Sequence, residues 1–326
     1  MDNNKIFFKI IIDSQEMTED NVLHWLEEFL FFQPSEMCGS VITRKKYVRY
    51  QYDLIEEHIS KELMKSQSFI RLCDEEMNDL VVEKSLFYSS ISGQLKQGIY
   101  EEVKERLEHH INRLFSVYSG AVAYVCAIDD YFWQNNTDPN QYAILNKSLE
   151  GISIIPHPTI KNTMVVDTEK LPGHSHFYND LWFGAHWMMW FGKSYYKYIP
   201  RSAILSFKNA FRLLELSNET IFVQLTPSIW EYDNSEYRKL QWDFREQTGI
   251  EVVAHELLHD DENRIVDADP SIEILTEANC IHGGVRLLRY YYNEGRQVVP
   301  RSEATTVLNY EVDRDGRVVW EEVYKL

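Results

Sequence analysis

Residues 100–128 read YEEVKERLEHHINRLFSVYSGAVAYVCAI, and the class of fold turns on how this stretch is divided. Val103, Leu107, Ile111, Leu114, Phe115 and Tyr118 recur every three or four positions, which is the spacing of one helix face. Gly120 reads as the cap that ends this helix. The apolar run 121–128 then reads as a strand. Working outward toward the N-terminus, residues 6–12 are apolar and β-branched and predict a strand. Thr18 is placed to cap a helix with Glu19 and Asp20 in its first turn and Val22, Leu23, Leu26, Phe29 and Leu30 along one face. Residues 39–43 read as a short strand, 47–64 as a helix and 80–88 as a strand. Toward the C-terminus, residues 163–166 and 220–225 read as strands. A helix at 235–247 is separated by Gly249 from the segment 250–259. Asp269 before Pro270 predicts the start of a helix that runs to about Asn293, and residues 307–320 predict a hairpin around Asp315-Gly316.

This order gives an α/β fold of the α+β sandwich type, with mixed or antiparallel sheets and helices packed on one face. The chain is expected to form two α/β halves, 1–132 and 163–326, the second holding an aromatic-rich segment, C-terminal helices and the hairpin. Residues 133–162, with Asp138-Pro139, Pro156 and Pro158, read as an irregular connection.

Composition narrows the function. The chain has 326 residues, 44% hydrophobic and 26% charged, enough apolar material for a packed core and against a disordered state. Lys plus Arg number 33 against 51 Asp plus Glu, a net charge of −18, which argues against nucleic acid or an anionic membrane as the main partner. The acidity serves solubility, and it also suits a basic partner. Twenty Tyr and 8 Trp suggest an aromatic core or a recognition surface. Cys38, Cys73, Cys126 and Cys280 show no C-x-x-C spacing, so reduced thiols are expected rather than a disulfide scaffold. The N-terminus has no basic region and no small-residue cleavage site, and the longest apolar stretch, 181–191, is broken by His186 and too short to span a bilayer. A cytoplasmic protein with no membrane partner is the expectation.

Residues 252–259 read VVAHELLH, and His255-Glu256-Leu257-Leu258-His259 matches H-E-x-x-H. On a helix the two histidines share a face and can hold one Zn²⁺, with Glu256 beside the metal-bound water as general base. On these residues the chain resembles the zincin metallopeptidases. That resemblance implies a third ligand from a following helix. Glu277 is the candidate, in the stripe Ile274, Glu277, Ile281, Val285 and Leu288, with Glu273 and Asp269 behind it. The chain departs from zincins after the second histidine, where Asp260, Asp261 and Glu262 stand instead of an uncharged and then an apolar residue. A plain amphipathic helix with surface histidines accounts for VVAHELLH as well.

The segment 172–200, PGHSHFYNDLWFGAHWMMWFGKSYYKYIP, is the most unusual in the chain. Trp182, Trp187, Trp190, Tyr195, Tyr196 and Tyr198 read first as core and second as a recognition surface, to which Trp230 and Tyr232 would add. His186 among them reads as a satisfied core histidine, and the pair His174 and His176 is a weak metal signal. The pattern Trp182-Phe183-Gly184, Trp190-Phe191-Gly192, Ile199-Pro200, IFVQLTP at 221–227 and Phe244-Arg245 resembles bacterial immunity-type proteins, which are encoded beside polymorphic toxins and neutralise them by tight binding. The resemblance covers about residues 170–250. It implies a cytosolic, non-enzymatic α/β protein with an acidic face for a cognate toxin domain. Two readings therefore stand. One is a binding protein that masks a basic toxin and needs no cofactor. The other is a zinc-dependent metallopeptidase or hydrolase with His255, His259 and Glu277 as ligands and Glu256 as base.

Overall fold

A computed structural model describes residues 4–40, 43, 46–63, 65, 67–157, 163–259, 269–275, 280–313 and 317–326. In chain order the strands are β1 (Lys5–Asp13), β2 (Glu36–Gly39), β3 (Val48–Arg49), β4 (Ser68–Cys73), β5 (Asp79–Lys84), β6 (Tyr88–Lys96), β7 (Gly120–Ala127), β8 (Ile154–Pro156), β9 (Met164–Val166), β10 (His176–Tyr178), β11 (Leu181–Phe183), β12 (Met188–Phe191), β13 (Arg212–Glu215), β14 (Ile221–Gln224), β15 (Ile272–Leu275), β16 (Arg286–Tyr292), β17 (Thr306–Val312) and β18 (Val318–Lys325). The helices are α1 (Glu19–Phe29), α2 (Ile55–Leu63), α3 (Gln97–Val117), α4 (Ile128–Asn135), α5 (Pro139–Ile144), α6 (Arg201–Leu205), α7 (Ser235–Thr248) and α8 (Ile250–His259). The fold is α+β. The chain divides into one unit of residues 1–136 with 168–260 and a second of 137–167 with 261–326.

The first unit is built on a ten-stranded sheet in the order β13-β14-β12-β7-β1-β6-β5-β4-β2-β3. Every neighbouring pair in it is antiparallel. Strand β1 lies near its centre and alternates as a strand must. Ile6, Phe8, Ile10 and Ile12 point to one face, with Phe7, Lys9 and Ile11 on the other. The first face is covered by α1 and α3, and α2 packs on α1 and β4. Phe8 stacks on Phe29 of α1, and the Trp190 indole N–H donates to Asn112 of α3 at 2.7 Å. Thr18 caps α1 as its sequence predicts, accepting the Asn21 amide. On the second face Tyr124 stacks on Tyr131 of α4 and packs 4.5 Å from Trp182, and Phe191 stacks on Phe244 of α7. The expectation of helices on one face is thereby corrected. All of β7 is buried because both of its faces are covered.

The expected division at 133–162 does not describe these units. Strands β12 and β14, from the predicted second half, extend the sheet begun by β1 and β7. Gly120 also has another role from the one its position suggests. It opens β7, and a Cβ there would meet the Phe115 ring at 2.9 Å, so the residue permits close packing rather than a left-handed cap. Part of the 47–64 helix is instead β3, and the strand expected at 39–43 is replaced by β2 at 36–39.

In the second unit β15, β16, β17 and β18 form an antiparallel sheet in that order, β8 pairs with β9, and α5 begins at Asp138-Pro139. The predicted hairpin is present as β17 and β18, and its turn residues 314–316 lie outside the described residues. The helix expected from Asp269 to about Asn293 is corrected: residues 272–275 and 286–292 are strands. Ile272 and Ile274 in the first and the three tyrosines 290–292 in the second are residue types that suit a pleated surface, and Gly283, at φ 94°, takes a backbone conformation that a helix interior does not use. Gly284 donates its amide to the buried Glu311 carboxylate at 3.0 Å, as do Ile281 and His282 at 2.8 and 2.9 Å. The loop is thus organised around that acid.

Candidate binding surface

On the α1–α3 side of the sheet, α3, β12, β13 and the chain after β14 enclose a cleft of about 460 Å³. Its floor is apolar and fixed. Trp187 is 5% exposed and donates its indole N–H to the Thr226 carbonyl at 2.8 Å. The Gln224 amide donates to the same carbonyl at 2.8 Å, which holds the turn before Pro227. Arg212 from β13 makes a two-point contact with Glu108 of α3, at 2.8 and 3.2 Å, and its guanidinium lies 4.8 Å over the Phe222 ring. One wall of the cleft is therefore tied to the sheet edge by a paired, stacked cation.

The other wall is acidic and aromatic. Glu101 and Glu105 stand on the exposed side of α3, four residues apart. Trp230, half-buried, reaches Glu101 with its indole N–H at 3.4 Å, and the Ser228 hydroxyl caps the short turn 229–231 by accepting the Trp230 amide at 3.2 Å. Tyr232 follows, half-buried, with its hydroxyl 3.5 Å from Asp129. Burial and the neighbouring Asp129 and Asp233 charges push the Tyr232 phenol up to about 12, so it stays a neutral hydrogen-bond donor. Glu231, Asp233 and Glu236 flank Tyr232 in sequence, the last two exposed. Lys104 is paired with Glu101, and Arg238 is paired with Asp130 and Asp233. Trp230 and Tyr232 thus stand half-exposed among carboxylates whose local cations already have partners.

The aromatic residues singled out from the sequence divide into two kinds. Trp182, Trp190 and Tyr195 are 0% exposed and Trp187 only 5%, which corrects their candidacy as a binding surface. Trp182, Trp190 and Tyr195 are packed inside the folded unit where no partner can touch them, and Trp187 shows only an edge, as the floor of the cleft. Tyr196 is half-buried, and its hydroxyl, with one proton to donate, lies 2.8 Å from the Phe191 carbonyl and 2.6 Å from the Glu219 carbonyl. Tyr198 is half-buried edge-on to Phe183. Neither lines the cleft, whereas Trp230 does, and Tyr232 stands just beyond it against Asp129. Sequence reading missed Glu101 and Glu105, although they carried a signal: acids four apart on the solvent side of the clearest helix.

The predicted H-E-x-x-H segment is α8. Ile250 and Ala254 are buried, Val253 and Leu257 pack on the core, and His255 and Glu256 are exposed. His259 closes the helix, and Glu277 lies outside the described residues. The helical stripe that selected Glu277 does not exist as such, since Ile274 is in β15, Leu288 is in β16 and Ile281 is 84% exposed. The weaker candidates are otherwise engaged. Glu273 accepts from Arg289 at 3.1 Å and Tyr291 at 2.7 Å, and Asp269 accepts from the Ser302 amide and hydroxyl. Among the described residues no group of three His, Cys, Asp or Glu is placed to hold a metal ion.

The two histidines at 174 and 176 belong to a buried polar network. Asn135 and Gln134 at the end of α4 accept the Ser175 and Gly173 amides, each at 2.8 Å. His174 is held at about 4 by burial and by the His176 and Arg245 charges, and His186 at about 3 by complete burial, so both rings are neutral at pH 7. The Ser175 hydroxyl accepts from Trp182 at 2.9 Å and is paired with His186 Nε2 at 3.1 Å. His186 is accordingly a core histidine.

No family profile matches the chain, and no curated protein matches it. Among solved structures, the chain is similar to a T6SS protein of Pseudomonas aeruginosa, with 7% identity and a TM-score of 0.42 over 80% of this chain and 91% of that one. It is also similar to a crystal structure of the toxic C-terminal tip of CdiA from Pseudomonas aeruginosa in complex with immune protein, with 8% identity and a TM-score of 0.24 over 37% of this chain and 86% of that one. Likenesses this distant carry no argument about what this chain does.

Proposed function

We propose that the chain is a cytoplasmic binding protein that neutralises a basic bacterial toxin domain by direct contact, in the manner of an immunity protein. The observation that carries this reading is the cleft wall where half-buried Trp230 stands beside Glu101 and Glu105, with half-buried Tyr232 two residues on against Asp129. Aromatic side chains that are partly buried before binding lose little freedom on contact and supply most of an interface's affinity. The surrounding carboxylates would steer a basic partner and penalise an acidic one. The net charge of −18 acts in the same direction at longer range. One of the solved structures above is named as a T6SS protein and the other as a toxin tip with its immune protein; the reading rests on neither.

The test is titration calorimetry against basic domains encoded by neighbouring genes, with the wild type beside Trp230→Ala and Glu105→Lys. Trp230→Ala is expected to weaken binding by about 30-fold or more, the loss typical of a central aromatic anchor. Glu105→Lys should slow association and flatten its salt dependence. A partner that binds both variants as tightly as the wild type refutes this surface.

The alternative is a zinc-dependent hydrolase on His255, His259 and Glu277 with Glu256 as base. What favours it is that residues 250–259 do form a helix with His255 and Glu256 exposed. One zinc per chain, lost in His255→Ala, together with hydrolysis lost in Glu256→Gln, would put it in first place.

A further inference from the structure

The cover on the second face of the sheet, formed by α4 and the β10–β11 hairpin, ends at β1. Beyond it the second face of β6 and β5 is polar, with Ser90, Ser92 and Gln94 on β6 and Glu83 on β5. A pocket of about 320 Å³ lies along this margin, within the range of small-ligand sites. Lys9, pointing out of the middle of β1, forms its floor. Tyr131 of α4 and Phe177 of β10 form an aromatic wall on the covered side, and Tyr88 closes an end.

The charges in this pocket are incompletely matched. Lys9 Nζ lies 4.0 Å from Glu83, beyond direct hydrogen-bond contact, and 5.5 Å over the Phe177 ring. No hydrogen bond from Lys9 Nζ is found among the described residues. Asp180 occupies the second position of the two-residue β10–β11 turn, where Asn179 and Asp180 have φ of 51° and 66°. That is the geometry of a tight hairpin turn, and it fixes the carboxylate at the rim, where it accepts the Ser85 hydroxyl. Burial lowers the Lys9 pKa, against the pull of Glu83 and Asp180, so this ammonium is short of solvation.

An anion alone would gain Lys9 but face two carboxylates, and a cation alone would gain the carboxylates but face Lys9. A molecule carrying both charges exchanges one long ion pair for two short ones. We propose that this pocket binds a small zwitterion of the α-amino-acid type with an aromatic side chain. Its carboxylate sits on Lys9, its ammonium between Glu83 and Asp180, and its ring on Phe177 and Tyr131. The site is on the opposite face of the sheet from the Trp230 cleft and does not depend on the toxin-binding reading.

The test is calorimetry with L-phenylalanine as probe, beside 3-phenylpropanoate, which lacks the ammonium, and phenethylamine, which lacks the carboxylate. L-phenylalanine should bind saturably, and each single-charge analogue at least about tenfold more weakly. Lys9→Met, which keeps the aliphatic stem, should abolish binding, and Glu83→Gln, at an exposed strand position, should weaken it. Trp230→Ala should leave it unchanged. Thermal melts check that the variants fold. The proposal is overturned if L-phenylalanine shows no saturable binding up to its solubility limit, if 3-phenylpropanoate binds equally well, or if folded Lys9→Met and Glu83→Gln both bind like the wild type.

Discussion

Replacing Glu251 by Gln should remove about 3 kcal/mol of stability at neutral pH, and the loss should shrink in acid. Arg245 is 0% exposed. Its Nη1 donates to the Leu171 and Pro172 carbonyls at 2.7 and 3.0 Å, and its Nη2 donates to Glu251 beside His176. The guanidinium also lies 4.7 Å over the Trp242 ring. Burial works against the Glu251 charge, but the hydrogen bond from His176 and the Arg245 cation override it and hold the carboxyl at about 2 instead of the ordinary 4.5. At about 1.4 kcal/mol per tenfold change this difference is worth roughly 3 kcal/mol. The figure matches the cost of about 3–5 kcal/mol for stripping one partner from a buried ion pair. Because the folded-state pKa is depressed, the contribution is complete above pH 4.5 and drains away as pH falls toward 2. At pH 3 about 1.4 kcal/mol of it should remain. Urea denaturation of wild type and Glu251→Gln, followed by circular dichroism at pH 7 and pH 3, measures both quantities. A gap under about 1 kcal/mol at pH 7, or an equal gap at the two pH values, would sink the argument.

The other predictions need less argument. Gly192→Ala should destabilise by at least about 2 kcal/mol in chemical denaturation, because a Cβ at Gly192 would lie 1.9 Å from the Gly120 carbonyl oxygen and that oxygen belongs to backbone. Trp190→Ala should cost about 3–5 kcal/mol through the cavity it leaves, whereas Trp230→Ala should change stability by under about 1 kcal/mol and act on binding. If the binding-protein reading is right, purified wild type dialysed without chelator should contain no stoichiometric zinc by elemental analysis.

Much of the sheet was legible because its strands and helices announce themselves locally. Alternation in β1, the three-to-four spacing of α3 and the Thr18 cap each act within one element. What was not legible depended on contacts distant in sequence. The stretch 269–293 holds a good helix start at Asp269-Pro270, yet its residues pair as β15 and β16, with Tyr290 opposite Ile272 and Leu308 on either side. A local start signal lost to tertiary pairing. Glu277 was selected by a helical stripe and fell with that helix as an argument. The cleft was half visible. Trp230 was named, but Glu101 lies 129 residues away along the chain, and only folding brings its carboxylate to the Trp230 indole.

The glycines of the two Trp-Phe-Gly repeats show what the aromatic wealth of the chain serves. Gly192 passes against Gly120 with no room for a side chain, and Gly184 would place a Cβ 2.8 Å from the Trp182 ring. Trp182 covers β7 at Tyr124, while Trp190 and Phe191 lie beside β7 in β12 and point to opposite faces of the sheet, Trp190 to α3 and Phe191 to Phe244 of α7. A strand buried on both faces is uncommon in an antiparallel sheet, and it demands apolar cover on both. The aromatic residues left to meet a ligand are therefore those at the margins of the cover, where a ring is half-buried and a charge stands beside it. Trp230 and Tyr232 mark one margin, with carboxylates around them. Phe177 and Tyr131 mark another, with Lys9 beneath. Their chemistry differs in the sign and number of charges, so a partner suited to the acidic margin has no reason to enter the other.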